Sequence, residues 1–258
     1  MTSEKMAPGD TGFLDMQAEV GVTKHIGGFE ATDELLSLCH IKDAMEILNV
    51  GCGIGVASIY IAKNYGCHVV GVDISEQMID WSRRRAKEEG VENKTDFYTA
   101  DVLDLPFEAD TFDIVFAESV LVFVEDKAQA IRECVRVTKP GGYAGLNEAF
   151  WNEQPPPELA ELAQDAVGPD VPTLETWEAL WEASGLQDTV IRTRQIDARA
   201  EVKSRIQWIG WRWLLRAWGR ALRIYLSNPA IRQSIKKQFD VPPEVFHYVA
   251  YGLLAGRK

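Results

Sequence analysis

Two features of this chain have the residue types and spacing to hold a ligand. One is the run Gly51-Cys52-Gly53-Ile54-Gly55; the other is Asp73, 22 residues after Gly51. Glycines let backbone approach a bound group with no Cβ in the way, and a carboxylate ending the next strand can accept hydrogen bonds from both hydroxyls of a ribose. The pair describes a nucleoside pocket. Val56 stands where a dinucleotide fingerprint would have its third glycine, and no G-K-[ST] follows to make a phosphate loop. Asp101, in Ala100-Asp101-Val102-Leu103-Asp104-Leu105-Pro106-Phe107, follows a third strand-like run and can accept a hydrogen bond from the amino group of a base. Candidate proton acceptors are Glu148 and Glu118, each leaving an apolar run, and His25, just before Gly27-Gly28. Glu148 ranks first by position alone.

These residues must be positioned by the elements around them. Between about 46 and 148, apolar runs (46–50, 68–72, 95–100, 111–117, 142–148) alternate with helical patterns (54–65, 75–89, 126–138). That alternation predicts an α/β fold with a parallel sheet and helices on both faces. Val69-Val70-Gly71-Val72 is continuously apolar, as a strand buried on both faces should be. A helix is predicted to start at Thr32 as N-cap. Pro140 is expected to stop a helix and Gly141-Gly142 to turn the chain into the fifth strand. Further along, a helix near 173–184, a strand near 187–194 and a final strand over Val245–Leu254 are expected. The organisation read from this is a lid at 1–30, a core at 31–199, a basic helical insertion at 200–240 and the last core strand at 241–258.

Composition narrows the classes. The spacing of Cys39, Cys52, Cys67 and Cys134 and of the four histidines fits neither a metal site nor a disulfide scaffold. No apolar leader is seen at the N-terminus and no uncharged run reaches the length of a membrane span, so a cytoplasmic location is expected. The net charge of −12 hides an asymmetry. Nine basic residues and no acidic one fall between Lys203 and Lys237, leaving −21 on the remainder. Such a segment is expected to meet something anionic.

The order and spacing of the glycine turn, Asp73, Asp101 and Pro140-Gly141-Gly142 resemble the class I S-adenosylmethionine-dependent methyltransferases, most closely the small-molecule branch with quinone-ring and sterol methyltransferases. The resemblance covers roughly residues 30–150 and implies a Rossmann-like, seven-stranded, mostly parallel sheet with a helical cap before the last strand. It implies that Gly51 and Gly53 pass close to the methionine part of the cofactor and that Asp73 binds its ribose, with Ile74 and Met78 packing nearby. Asp101 would bind the adenine amino group, Val102 would flank the ring, and the backbone around Glu118 would lie near the methionine end. Asn49 departs from the family, which often has an acidic residue there. The implied reaction is in-line transfer of a methyl group, for which alignment supplies much of the rate.

The acceptor must be read from the variable regions. Arg205, Arg212, Arg216, Arg220 and Arg223 fall in one arc of a helical wheel. Trp213, Leu214, Ala217, Trp218, Ala221, Leu222, Ile224 and Tyr225 fill most of the rest. This predicts a basic amphipathic cap helix whose apolar face packs on the core, lines a pocket for a hydrophobic, quinone-like, prenylated or polycyclic acceptor, or touches an anionic membrane surface through residues 203–237. RNA or protein methylation, docked through the insertion, is the first alternative; cofactor binding without methyl transfer is the second. The acidic body argues against nucleic acid. So does the absence of an Asn/Asp-Pro-Pro-Tyr signature, since the corresponding stretch reads Ala117-Glu118-Ser119-Val120. Nothing in the sequence sets the oligomeric state.

Overall fold

Strands that never alternate with polar residues become the centre of the sheet. The computed structural model describes residues 17–23, 25–160, 162, 170–196, 206–227, 242 and 244–258. In chain order these give α1 (Gly28–Leu38), β1 (Glu46–Val50), α2 (Val56–Asn64), β2 (His68–Asp73), α3 (Glu76–Glu88), β3 (Thr95–Thr99) and β4 (Phe112–Glu118). Then follow α4 (Lys127–Val137), β5 (Thr138–Trp151), α5 (Leu174–Glu182), β6 (Gln187–Gln195), α6 (Trp211–Ser227), α7 (Val245–Tyr248) and β7 (Val249–Arg257). The seven strands form one sheet in the order β3-β2-β1-β4-β5-β7-β6. The first five are parallel to their neighbours, and β7 runs antiparallel between β5 and β6. The fold is therefore the expected α/β sheet, mostly parallel, with helices on both faces.

The period-2 geometry of a strand divides β1 between two cores. Leu48 and Val50 join Val70, Val72, Val115 and the buried Trp177 and Trp181 on one face. Ile47 joins Val69, Ile114, Phe116 and the apolar sides of α1, α2 and α3 on the other. Registers align the strand ends: Val50 lies opposite both Val72 and Ala117. Gly51, Asp73 and Glu118 consequently leave the sheet along one edge, at the point where chain order reverses between β1 and β4.

Three local expectations are corrected. Helix α1 begins at Gly28, so Thr32 is a buried residue one turn inside it, where its hydroxyl serves a tertiary contact and not a cap. Pro140-Gly141-Gly142 lies within β5, which starts at Thr138. The register against β4 shifts between Phe112 and Ile114, and Gly141 (φ 80°) and Gly142 pair with the backbone of Lys258. The prolyl turn is thus a bulge that seats the chain's last strand. That last element is also divided: Val245–Tyr248 is one helical turn, and the strand runs from Val249 to Arg257. Residues 1–16, and Lys203, Arg205, Arg232, Lys236 and Lys237 of the basic segment, lie outside the described residues.

Because Leu48 is fully buried in the middle of β1, Leu48→Ala should cost about 2–5 kcal/mol of stability, measured as a shift in the urea unfolding midpoint at unchanged m-value.

Candidate active site

The strand ends open into a cleft of about 1020 Å³, part of it open solvent. Its floor is the glycine turn. Gly51, Gly53 and Gly55 all have positive φ (67°, 54° and 74°), a region in which a Cβ is strained. A Cβ on Gly51 would strike the Val120 side chain, and one on Gly53 would meet Thr23 Oγ1 at 2.8 Å. The turn is also tied to the neighbouring strand, for Cys52 N–H donates to the Val72 carbonyl at 2.9 Å.

Asp73 is held from two sides. Its Oδ2 accepts from Gly53 N–H at 2.9 Å and its Oδ1 from Ser75 N–H at 2.9 Å. Burial raises its carboxyl above the ordinary value, and the two amides pull it back down. Ser75 also caps α3 through Met78 N–H, so the helix N-terminus faces the same space. Gly51, Gly53, Asp73, Ile74, Met78, Asp101 and Val102 all line the cleft. The Asp101 carboxylate accepts from Leu103 N–H at 2.9 Å, fixing its own turn. The loop that carries it is clamped from α4: Glu133 accepts from Leu105 N–H, and Arg136 donates to the carbonyls of Leu105 and Phe107.

The other three candidates sit apart from this cleft. His25 and Glu118 line a smaller adjoining cavity, which shares Thr23 and Gly51 with the main cleft. With its proton on Nε2, His25 donates to Gly28 O (3.0 Å) and Thr32 Oγ1 (3.2 Å), and Thr32 donates to Glu118 Oε1 at 3.0 Å. The imidazole stacks on Trp208, centroids 4.2 Å apart. Burial drives the Glu118 carboxyl up to about 8, while Thr32 and Asn147 oppose the shift.

Glu148 lines neither space, which corrects its placement at the ligand edge. It is fully buried, and Oε1 accepts from Val120 N–H (2.9 Å) and Leu121 N–H (2.8 Å). Burial pushes its carboxyl to about 7 against those hydrogen bonds. The residue is a tether for the loop after β4, which supplies Ser119, Val120, Phe123 and Val124 to the cleft. Ser119 is held at φ 58° there, with its N–H on Asn147 O at 2.7 Å. Strain of that kind persists only where neighbours over-determine it.

Sequence reasoning read residues 1–30 as a lid but singled out neither Gln17 nor Thr23, which the strap at residues 17–23 contributes to the cleft. It is held by the segment read as an insertion. Trp213 Nε1 donates to Gly21 O (2.6 Å) and Arg220 Nε to Val20 O (2.7 Å). From α3, Trp81 Nε1 donates to Ala18 O (2.8 Å). Arg220 lies over the rings of both Trp81 and Trp213, and Arg85 of α3 donates to Ile209 O. Part of the arginine arc therefore faces the protein. No residue of 206–227 lines the cleft; instead Ala217, Ala221 and Ile224 pack beside Val20 and Phe123.

Comparison with known proteins agrees with this geometry. Residues 48–146 match the model of a methyltransferase domain family. An uncharacterized protein of Haemophilus influenzae is 31% identical over 176 residues, covering 66% of this chain and 70% of its own length. A phosphoethanolamine N-methyltransferase of Triticum aestivum is 30% identical over 168 residues, 65% of this chain; the match spans only 33% of that longer protein. Among solved structures, the [4+2]-cyclase SpnF superposes with a TM-score of 0.75 at 20% identity, covering 96% of this chain and 93% of its own. The chain belongs to the class I S-adenosylmethionine-dependent methyltransferase family.

The raised Glu118 carboxyl has a testable sign. In the unfolded chain it ionises near 4.5 and in the folded chain near 8. Between those values the folded state binds more protons, so stability falls as pH rises through the window. One such group contributes at most about 1.4 kcal/mol per pH unit. Urea denaturation of Glu118→Gln from pH 5 to 8 should show a shallower decline than the parent protein; parallel profiles would refute the assignment.

Proposed function

We propose that the chain binds S-adenosylmethionine in the main cleft and transfers its methyl group to a small hydrophobic acceptor. The observation that carries the reading is Asp73, whose two oxygens are aimed by Gly53 and Ser75 N–H groups into a cleft floored by glycines with no room for a Cβ. A carboxylate so fixed can still accept from ribose hydroxyls. Gly51 and Gly53 would pass the methionine part, Ile74 and Met78 would pack on the nucleoside, and Asp101 and Val102 would meet the adenine. Residues around Glu118 would lie at the methionine end. The cofactor supplies an activated methyl group, so the residues of this chain need mainly to align and to exclude water.

The remaining lining favours an apolar acceptor. Val120, Phe123 and Val124 face the cleft, and among its described lining residues there is no Lys or Arg to balance a phosphate. Where the acceptor must lose a proton, His25 and Glu118 are the candidates, through the cavity that shares Thr23 and Gly51 with the cleft. Glu148, committed to two backbone amides, is better read as a positioning residue.

A second reading, cofactor binding without methyl transfer, is favoured by the likeness to SpnF, a [4+2]-cyclase of the same fold. Binding of cofactor without release of S-adenosylhomocysteine across a broad panel of hydrophobic acceptors would favour that reading over methyl transfer. For the pocket itself, Asp73→Ala removes charge-assisted hydrogen bonds on the order of 1.5–3 kcal/mol. It should weaken S-adenosylmethionine binding by about 10- to 100-fold in calorimetry, with an unchanged far-ultraviolet dichroism spectrum. Unaltered affinity would overturn the assignment.

A further inference from the structure

We propose that the outward face of α6 is a docking surface for a membrane carrying anionic lipids. The apolar residues of this helix do not form one face, as the sequence reading assumed, but two. Trp213 and Ala217 are buried against the strap and α3. Trp211, Leu215, Trp218 and Leu222, spaced by four, three and four residues, make a second stripe on the far side, exposed by 62%, 65%, 76% and 62%. A contiguous row of large exposed apolar side chains marks an interaction surface.

Charge decides what fits it. Arg212 and Arg216 are exposed beside the stripe; Arg212 rests over the Trp211 ring at 5.5 Å, and Arg216 reaches Glu88 at 2.7 Å. The segment from Lys203 to Lys237 holds nine basic residues and no acidic one. A second copy of the chain would bring two arginine rims together with no carboxylate on either helix to pair them. An RNA strand would use the arginines and indoles but leave Leu215 and Leu222 in water. An anionic bilayer satisfies both at once: leucines enter the acyl boundary, indoles sit at headgroup level, and guanidinium groups meet lipid phosphates. No helix among the described residues is long and apolar enough to cross a membrane, which leaves α6 lying in the surface plane.

The inner side of the same helix packs beside Phe123 and Val20 at the cleft rim. Docking would bring that rim to the phase in which a hydrophobic acceptor dissolves; this last consequence alone rests on the proposed methyl transfer. The test is co-sedimentation of the full chain with phosphatidylcholine vesicles, with and without phosphatidylglycerol. Binding is expected to the anionic vesicles and to weaken with salt. The double variant Leu215→Glu, Trp218→Glu should lose about tenfold or more of that binding while keeping its thermal midpoint and S-adenosylmethionine affinity. Four results would overturn the proposal: no sedimentation with anionic vesicles, equal sedimentation of the variant, a solution dimer that the variant dissolves, or salt-sensitive RNA binding without vesicle binding. Because cofactor affinity is measured on the same samples, failure here is distinguishable from failure of the pocket.

Discussion

The amide of Gly53 donating to the carboxylate of Asp73 ties two adjacent parallel strands together beyond the point where their own ladder ends. A parallel ladder stops where the chains diverge into their helices, and the groups past that point lack ladder partners. Here Cys52 N–H returns to Val72, Gly53 N–H reaches Asp73, and Asp73 in turn receives Ser75 N–H. One carboxylate thus fixes the glycine turn, the end of β2 and the entry to α3. The floor of the cleft and one of its walls share a single carboxylate.

The opposite wall is built by different means. Helix α6 holds the strap at residues 17–23 through indole and guanidinium donors on backbone carbonyls, with Arg220 stacked on Trp81 and Trp213. Arginine suits this job because its planar head can stack and donate at once, which a lysine ammonium cannot do. A segment late in the chain therefore positions residues from its beginning, and both meet at Phe123.

How much of this was legible follows from the range of each signal. Continuous apolar runs and the glycine turn are local, and they marked β1, β2, β4 and the edge on which Asp73 and Asp101 lie. Thr32 misled because a threonine before an apolar run has the same local pattern whether it caps a helix or reaches a carboxylate 86 residues away. The Pro140-Gly141-Gly142 stretch misled in part: the helix does end before it, at Val137, but a proline and a positive-φ glycine suit an irregular strand as well as a turn, and only the pairing with Lys258 distinguishes them. On α6, the wheel showed where apolar residues fall but not that two different surfaces compete for them. Periodicity reports one direction of burial, and this helix has one inward apolar side and one outward one.

Glu118 and Glu148 show why a carboxylate at a strand's end is an ambiguous sign of catalysis. Both are buried deeply enough that their carboxyls rise to about 8 and about 7, and that desolvation lowers stability at neutral pH. The cost is tolerated where the carboxylate holds backbone that apolar packing cannot hold. Glu148 anchors two consecutive amides of the loop after β4, and Glu118 closes a chain of hydrogen bonds from Gly28 through His25 and Thr32. Raised carboxyl pKa values are shared by catalytic groups and by structural tethers, so the distinction rests on what the oxygens touch. By that criterion Glu148 serves the cleft from behind, through the loop that it holds. Glu118 and His25 instead border a cavity that shares Thr23 and Gly51 with the cleft.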